Sequence, residues 1–371
     1  MTRILLLDAD GVMVRPAGYR EALRSTVNYF VDSPLALEEE LLAELERRQI
    51  TSEWDMAPLL VAAYWNEILS RQPMPDLPGD VNSAARYIKR QRRVDAPARV
   101  TVPEFHLQPG KYPARSAYES DCFPNLIDPL RMDLLTGSRS VQKSPTTRIL
   151  QHFTLGSEHF QETYNLPAEV DTDSLLLRFD RSPITDDVRA KLRQDGNHLV
   201  GFTNRPSGPP REMGHIMDGY PPEAEFALKL AGLEDIPMIA HGRLKYVASQ
   251  HDLDAATLEK PSPFHALAAV LAAWTGEELS ALQAANHWYE TQSLNGKFVR
   301  LPRTFELIVV EDTLGGVRSV LAAGEILKAS GFHVTVRPFG LTLGNETKAS
   351  AFEKAHVPYY PDWESIMEEI G

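Results

Sequence analysis

Six side chains in this 371-residue chain have the types and spacing to do chemistry together: Asp8, Asp10, Thr203, Lys260, Glu311 and Asp312. The first two close the run Ile4-Leu5-Leu6-Leu7-Asp8-Ala9-Asp10-Gly11-Val12, in which four apolar residues lead straight into an acidic pair and a glycine. An uninterrupted apolar run of this length reads as a buried strand of a parallel sheet. Its two carboxylates then stand where open α/β sheets bind ligands, outside the carboxyl ends of the strands. Two other readings compete. Asp-x-Asp-Gly is also ordinary turn chemistry. A calcium loop would need a bidentate glutamate eleven residues after its first aspartate, and Tyr19 stands there.

The other signals occupy comparable places. His198 to Phe202 is an apolar strand ending at Thr203-Asn204, and Phe305 to Val310 is another ending at Glu311-Asp312. Lys260-Pro261 precedes Ser262-Pro263, a capping hydroxyl followed by proline, which starts a helix running to about Gly276. In a parallel sheet with crossover helices these positions share one edge. Up to four carboxylates gathered there repel one another unless a cation intervenes, and oxygen donors favour a hard divalent ion such as Mg2+. A lysine and a hydroxyl beside that ion suit a phosphoryl group, and a carboxylate suits its attack. Singly, each residue also has a structural explanation. Thr203 ends a strand, Lys260 precedes a helix, and acids favour a helix N-terminus.

The order Asp8-Ala9-Asp10-Gly11-Val12, Phe202-Thr203-Asn204, Lys260-Pro261-Ser262 and Val310-Glu311-Asp312-Thr313 resembles the four motifs of the haloacid dehalogenase superfamily. Gly315-Gly316-Val317-Arg318 is similar to the segment after the fourth motif in its phosphatases and mutases with helical caps. The resemblance covers about half the chain. It implies a doubly wound, mostly parallel Rossmann-like α/β core over residues 1–15 and 175–371, and an enlarged helical cap over 16–174 carrying a proline-rich insert. It also implies roles. Asp8 would be the nucleophile and Asp10 the proton-transfer group. Gly11, Thr203, Asn204 and Lys260 would hold the phosphoryl oxygens, and Asp8, the Asp10 carbonyl, Asp312 and Glu311 would surround Mg2+. The reaction implied is Mg2+-dependent hydrolysis of a small phosphorylated metabolite through an aspartyl-phosphate. The acid at position 10 favours phosphate chemistry, because the superfamily's dehalogenases lack it. Phosphomutase chemistry and a non-catalytic scaffold of the same fold are the rival readings, and a phosphorylatable receiver is a weaker one. Three features depart from the pattern: valine at position 12, about 190 residues between the first two motifs, and a lengthened gap between Lys260 and Asp312.

The elements that must position these residues can be read in turn. Tyr19, Leu23, Val27 and Phe30 have helical spacing, Ser33-Pro34 reads as a second helix start, and Leu60, Tyr64 and Ile68 mark a third helix. Arg86 to Arg99 holds six basic residues against Asp95, a solvated face or an anion-attracting rim. Arg15, Tyr19 and that patch are candidates for contacting a substrate's anionic part. Seven prolines from Pro97 to Pro145 break any regular element. His152 and His159 read as core or surface residues, without a third ligand nearby. Leu175 to Phe179 reads as a strand, Thr185 to Arg193 and Pro222 to Ala231 as helices, and Pro237 to Ala240 as a strand. Glu277 to Arg303 reads as an irregular insertion whose Trp288-Tyr289 packs locally. A helix to Ser330 leads to a strand from His333 to Val336.

Composition sets the wider limits. With 43% hydrophobic and 24% charged residues the chain is ordinary for a globular protein of one or two domains. A formal charge of −13 argues against nucleic acid and anionic membrane as partners. Cys122 is the single cysteine, which forbids an internal disulfide and suits a reducing compartment; it reads as a packed side chain rather than a nucleophile. A strand starting at Arg3 leaves no room for a signal peptide, no run approaches a membrane span, and the glycosylation triplet Asn345-Glu346-Thr347 is then idle. The expected setting is cytoplasmic.

Overall fold

A computed structural model describes residues 2–34, 37–214, 219–294 and 296–371. The chain forms two compact units, Met1–Pro16 with Asp180–Gly371, and Ala17–Phe179.

The first unit is built on a six-stranded, all-parallel sheet. Its strands are β1 (Arg3–Leu7), β2 (Asn197–Phe202), β3 (Met238–Ile239), β4 (Thr304–Glu311), β5 (His333–Leu341) and β6 (Tyr359–Tyr360), in the order β3-β2-β1-β4-β5-β6. This is a doubly wound, Rossmann-like order in which chain progression reverses between β1 and β4. Strand alternation divides the core. Ile4 and Leu6 face one layer, with Val200, Phe202, Leu307 and Val309, covered by helices Pro263–Thr275 and Leu314–Ala329. Leu5 and Leu7 face the other, with Leu199, Ile308 and Val310, covered by helices Asp186–Leu192, Glu223–Ala231 and Trp363–Ile370. Burial on both faces explains why β1 and β4 read as continuous apolar runs.

The second unit is helical. Helix Glu53–Arg71 is its axis, buried along most of its length, and packs on Gly18–Val31 and Pro145–Leu155. Gly18 permits close approach of helix Leu175–Phe179, because a Cβ there would lie 2.6 Å from the Leu176 Cα. The buried Asp55 carboxylate accepts from Arg139 at 2.6 Å, Ser138 Oγ at 3.0 Å and the Ala114 amide at 3.3 Å, which ties the proline-rich stretch to the axis.

Four expectations need correction. Leu175–Phe179 is a short helix of the second unit, not a strand of the sheet; five apolar residues carry no period, and Ser174 Oγ accepting from the Leu177 amide starts a helical turn. The proline-rich stretch contains helices Pro113–Glu119 and Asp128–Leu135, and Pro145 opens a third. Pro113, Pro129 and Pro145 occupy first-turn positions, where the missing amide costs nothing. Glu278–Thr291 is a helix, not an irregular insertion, and its buried face mixes Ala281, Ala284 and Ala285 with the polar Glu278 and Asn286, which leaves no large apolar stripe to announce it. The second helix starts at Glu39, not Ser33-Pro34; residues 35–36 of that reading lie outside the described residues. Among the described residues, no helix is long and apolar enough to cross a membrane.

Candidate active site

The reversal between β1 and β4 sets the site. The register pairs Leu7 with Val310, and the Asp8 amide continues the ladder by donating to the Val310 carbonyl at 3.1 Å. Asp8 and Glu311-Asp312 therefore emerge side by side. Asp8, Glu311 and Asp312 each present a carboxylate oxygen within 4.8 Å of the others, and all three are buried. Two glycines make room. At Gly11, with φ of +74°, a Cβ would fall 2.4 Å from Asp312 Oδ2; at Gly316 it would fall 1.7 Å from Glu311 Oε1.

Lys260 reaches the same point from the segment before helix Pro263–Thr275. Its Nζ donates to Asp8 Oδ1 at 2.9 Å and Glu311 Oε1 at 2.5 Å, and lies 4.3 Å from the centre of the Phe202 ring. Burial works to discharge this ammonium, but the Asp8 and Glu311 charges outweigh it and hold Lys260 above its ordinary range. On the acid side, burial and the charge of Asp8 push Glu311 up to about 8 and Asp312 up to about 6, against the pull of Lys260 and Lys348 respectively.

Of the remaining expected residues, Thr203 is buried at the end of β2, and its Oγ1 accepts from the Arg205 amide at 3.2 Å. Asn204 is exposed beside it. The Asp10 side chain lies outside the acid triad and points instead to Arg205, which donates to it at 2.6–3.0 Å. Arg15 is exposed and Tyr19 half-buried on the first helix of the other unit. Much of the basic patch is engaged within that unit: Lys89 with Asp32, Arg92 with the Val31 and Asp32 carbonyls, and Arg99 with Glu38. His152 is buried, bonded to backbone at Arg148 and Glu169 and stacked on Phe160, while His159 pairs with Glu162. Cys122 is buried, which raises its thiol.

Three contributors escape sequence reading. Arg205 follows Asn204 directly, so adjacency was its only signal. Lys348, on helix Glu346–Lys354, donates to Asp312 Oδ2 at 2.5 Å. His241, at the edge just beyond β3, pairs with Glu259 next to Lys260. All three come from segments with no acid-terminated strand before them.

The donor set fits a hard divalent cation. Three carboxylates converge and every donor is oxygen.

One buried group behind the site titrates in an accessible range. His265 donates from Nε2 to the Ile239 carbonyl at 2.9 Å, and its Nδ1 is buried without a partner. Burial, and then the charge of Lys260, push it down to about 3. The unfolded chain takes up this proton near pH 6.5 and the folded protein only near 3, so stability contributed by the neutral ring is lost as pH falls through that window. Replacing His265→Gln, which keeps a donor for Ile239, is expected to remove a few kcal/mol of the difference in urea-unfolding free energy between about pH 7 and about pH 4. An unchanged difference would show that His265 is not the group responsible.

No protein-family model and no curated protein matches the sequence. Among solved structures, the chain is similar over 100% of its length, and 99% of the other, to a crystal structure determined as a Northeast Structural Genomics Consortium target, with 15% identity and a TM-score of 0.59. At that identity the likeness concerns the fold, an α/β protein with a Rossmann-like parallel sheet.

Proposed function

We propose that this protein is a Mg2+-dependent phosphoester hydrolase of the haloacid dehalogenase type, working through an aspartyl-phosphate at Asp8. The observation that carries this reading is the convergence of Asp8, Glu311, Asp312 and Lys260 at the β1/β4 reversal. A structural ion pair needs one lysine and one acid; three buried acids converging beside Lys260, whose side chain is 6% exposed, suit a further cation.

Asp8, Asp312 and Glu311, with the Asp10 carbonyl, would hold Mg2+, which when bound supplies charge neutralisation for the phosphoryl oxygens. Glu311 is also a support, because its Oε1 accepts from Lys260 and its Oε2 from Thr313. Asp8 attacks phosphorus, the bond from phosphorus to the leaving oxygen breaks, and Asp10 hands that oxygen a proton. Asp10 then takes a proton from water as the water attacks the phosphoryl group, and the bond to Asp8 breaks to release phosphate. Lys260, Thr203 and the backbone at Asn204 hold the phosphoryl oxygens, while the Gly11 amide expected to join them donates instead to the Val14 carbonyl at 2.7 Å. The helical unit is the cap, and the substrate is a small phosphorylated metabolite in a cytoplasmic setting.

Purified protein is expected to release phosphate from at least one member of a panel of sugar phosphates, nucleotides, phosphorylated acids and phosphoamino acids, with Mg2+ and not with excess chelator. Absence of release across the whole panel in the presence of Mg2+ would overturn the hydrolase reading.

A further inference from the structure

Asp10 is held from behind by a side chain that no motif assigns. The Arg205 side chain is 2% exposed, and its Nε and Nη2 engage both carboxylate oxygens of Asp10 at 2.6–3.0 Å. The same Nη2 donates to the fully buried Asp180 at 3.0 Å, and Nη1 to the Glu223 carbonyl at 3.4 Å. The Arg205 backbone is fixed as well, donating to Thr203 Oγ1 and accepting from the His241 amide at 3.2 Å each. Asp10 remains 38% exposed at its side chain, so one edge is open while the other is clamped.

Asp180 has a particular place in the chain. It is the first residue of the sheet unit after the helical one, and the chain leaves for that unit after Pro16. Next to it, Arg15 and Arg181 exchange backbone hydrogen bonds at 2.8 and 3.4 Å, so the outgoing and returning segments run side by side. One guanidinium thus spans the Asp10 carboxylate and the returning segment.

We infer that Arg205 is a positioning residue that sets the Asp10 carboxylate in the site and makes its placement depend on the Asp180 connector. A planar fork can satisfy two carboxylates at once, whereas an ammonium at the same distance cannot reproduce that geometry. This role rests on the reading of Asp10 as the proton-transfer group.

The test compares wild type, Arg205→Lys, Asp180→Asn, Asp10→Asn and the Asp10→Asn/Arg205→Lys double variant, by steady-state kinetics on the best substrate of the panel and by amide hydrogen exchange. Displacing a catalytic group by about 1 Å costs on the order of 100-fold. Arg205→Lys is therefore expected to lower kcat by roughly 10- to 100-fold, with KM and the Mg2+ half-saturation within about two-fold. Asp180→Asn should do the same to a smaller extent, which covers the case in which Arg205→Lys does not fold. The double variant should lose no more than Asp10→Asn alone, since the two act through one group. In Arg205→Lys, the amides of residues 11–15 and 181 should exchange faster together, with β4 and β5 still protected. Wild-type kcat in Arg205→Lys, multiplicative losses in the double variant, or faster exchange confined to residues 203–207 would each overturn the inference. If wild type hydrolyses nothing, the hydrolase reading fails, and the exchange pattern alone still decides whether Arg205 couples the two segments.

Discussion

Substituting Asp8→Asn is expected to reduce phosphate release by about a thousand-fold or more while leaving a folded protein. Asparagine keeps the size of the side chain and an oxygen for Lys260 and the Ala9 amide, which lie 2.9 and 2.8 Å from Asp8 Oδ1. It removes one of three converging acids, so far-UV circular dichroism and the unfolding midpoint should stay close to wild type. What it cannot supply is the nucleophilic oxygen anion. Retention of wild-type turnover by Asp8→Asn would eliminate Asp8 as the attacking group, whatever else the site does.

Lys260→Met carries the largest expected effect on stability. Lys260 is buried and bridges Asp8 to Glu311, so methionine would fill its volume but leave two buried carboxylates facing each other. Removing one member of a buried charge cluster costs about 3–5 kcal/mol. The loss should depend on pH. Glu311 already holds its proton up to about 8 in the folded protein, whereas an unfolded glutamate releases it near 4.5. Between those values the unfolded chain binds fewer protons, so stability falls as pH rises, and losing the lysine, whose charge holds Glu311 down, extends the fall to higher pH. Unfolding by urea should therefore show the variant weakest near about pH 8 and partly restored near about pH 5. Added Mg2+ should also restore it, because a ligand of the folded triad stabilises by mass action. A variant as stable as wild type at the alkaline end of that range, without Mg2+, would contradict the charge balance described for the site.

The sequence exposed those parts of the protein whose signals are local. β1, β2 and β4 announce themselves as apolar runs because both their faces are buried, and each ends at a residue whose type is wrong for a core. Three such endings, with Lys260-Pro261 before a capped helix, were enough to collect Asp8, Thr203, Glu311 and Asp312 at one sheet edge. Parallel strands in this order leave no other place for them. What sequence reading missed depends on distance. Arg205 matters through Asp10 and Asp180, 195 and 25 residues away along the chain. Lys348 meets Asp312 across 36 residues, from a helix with no motif of its own. The proline-rich stretch is ordered by Asp55 and by Arg48, whose guanidinium donates to the Val102 and Pro103 carbonyls, and neither is marked by any window around the prolines. The short helix Leu175–Phe179 was misread because five apolar residues fit either period.

The roles of the helical unit and of Asp10 both depend on one claim, that Asp8 becomes phosphorylated. That claim can be read directly by quenching the protein during turnover of an aryl phosphate with Mg2+, reducing with borohydride, and mapping the peptides by mass spectrometry. Reduction converts an aspartyl-phosphate to homoserine. The expected result is homoserine at position 8, present only with substrate and Mg2+ and absent from Asp8→Asn. Sustained Mg2+-dependent phosphate release with Asp8 unmodified in every quenched sample would contradict it.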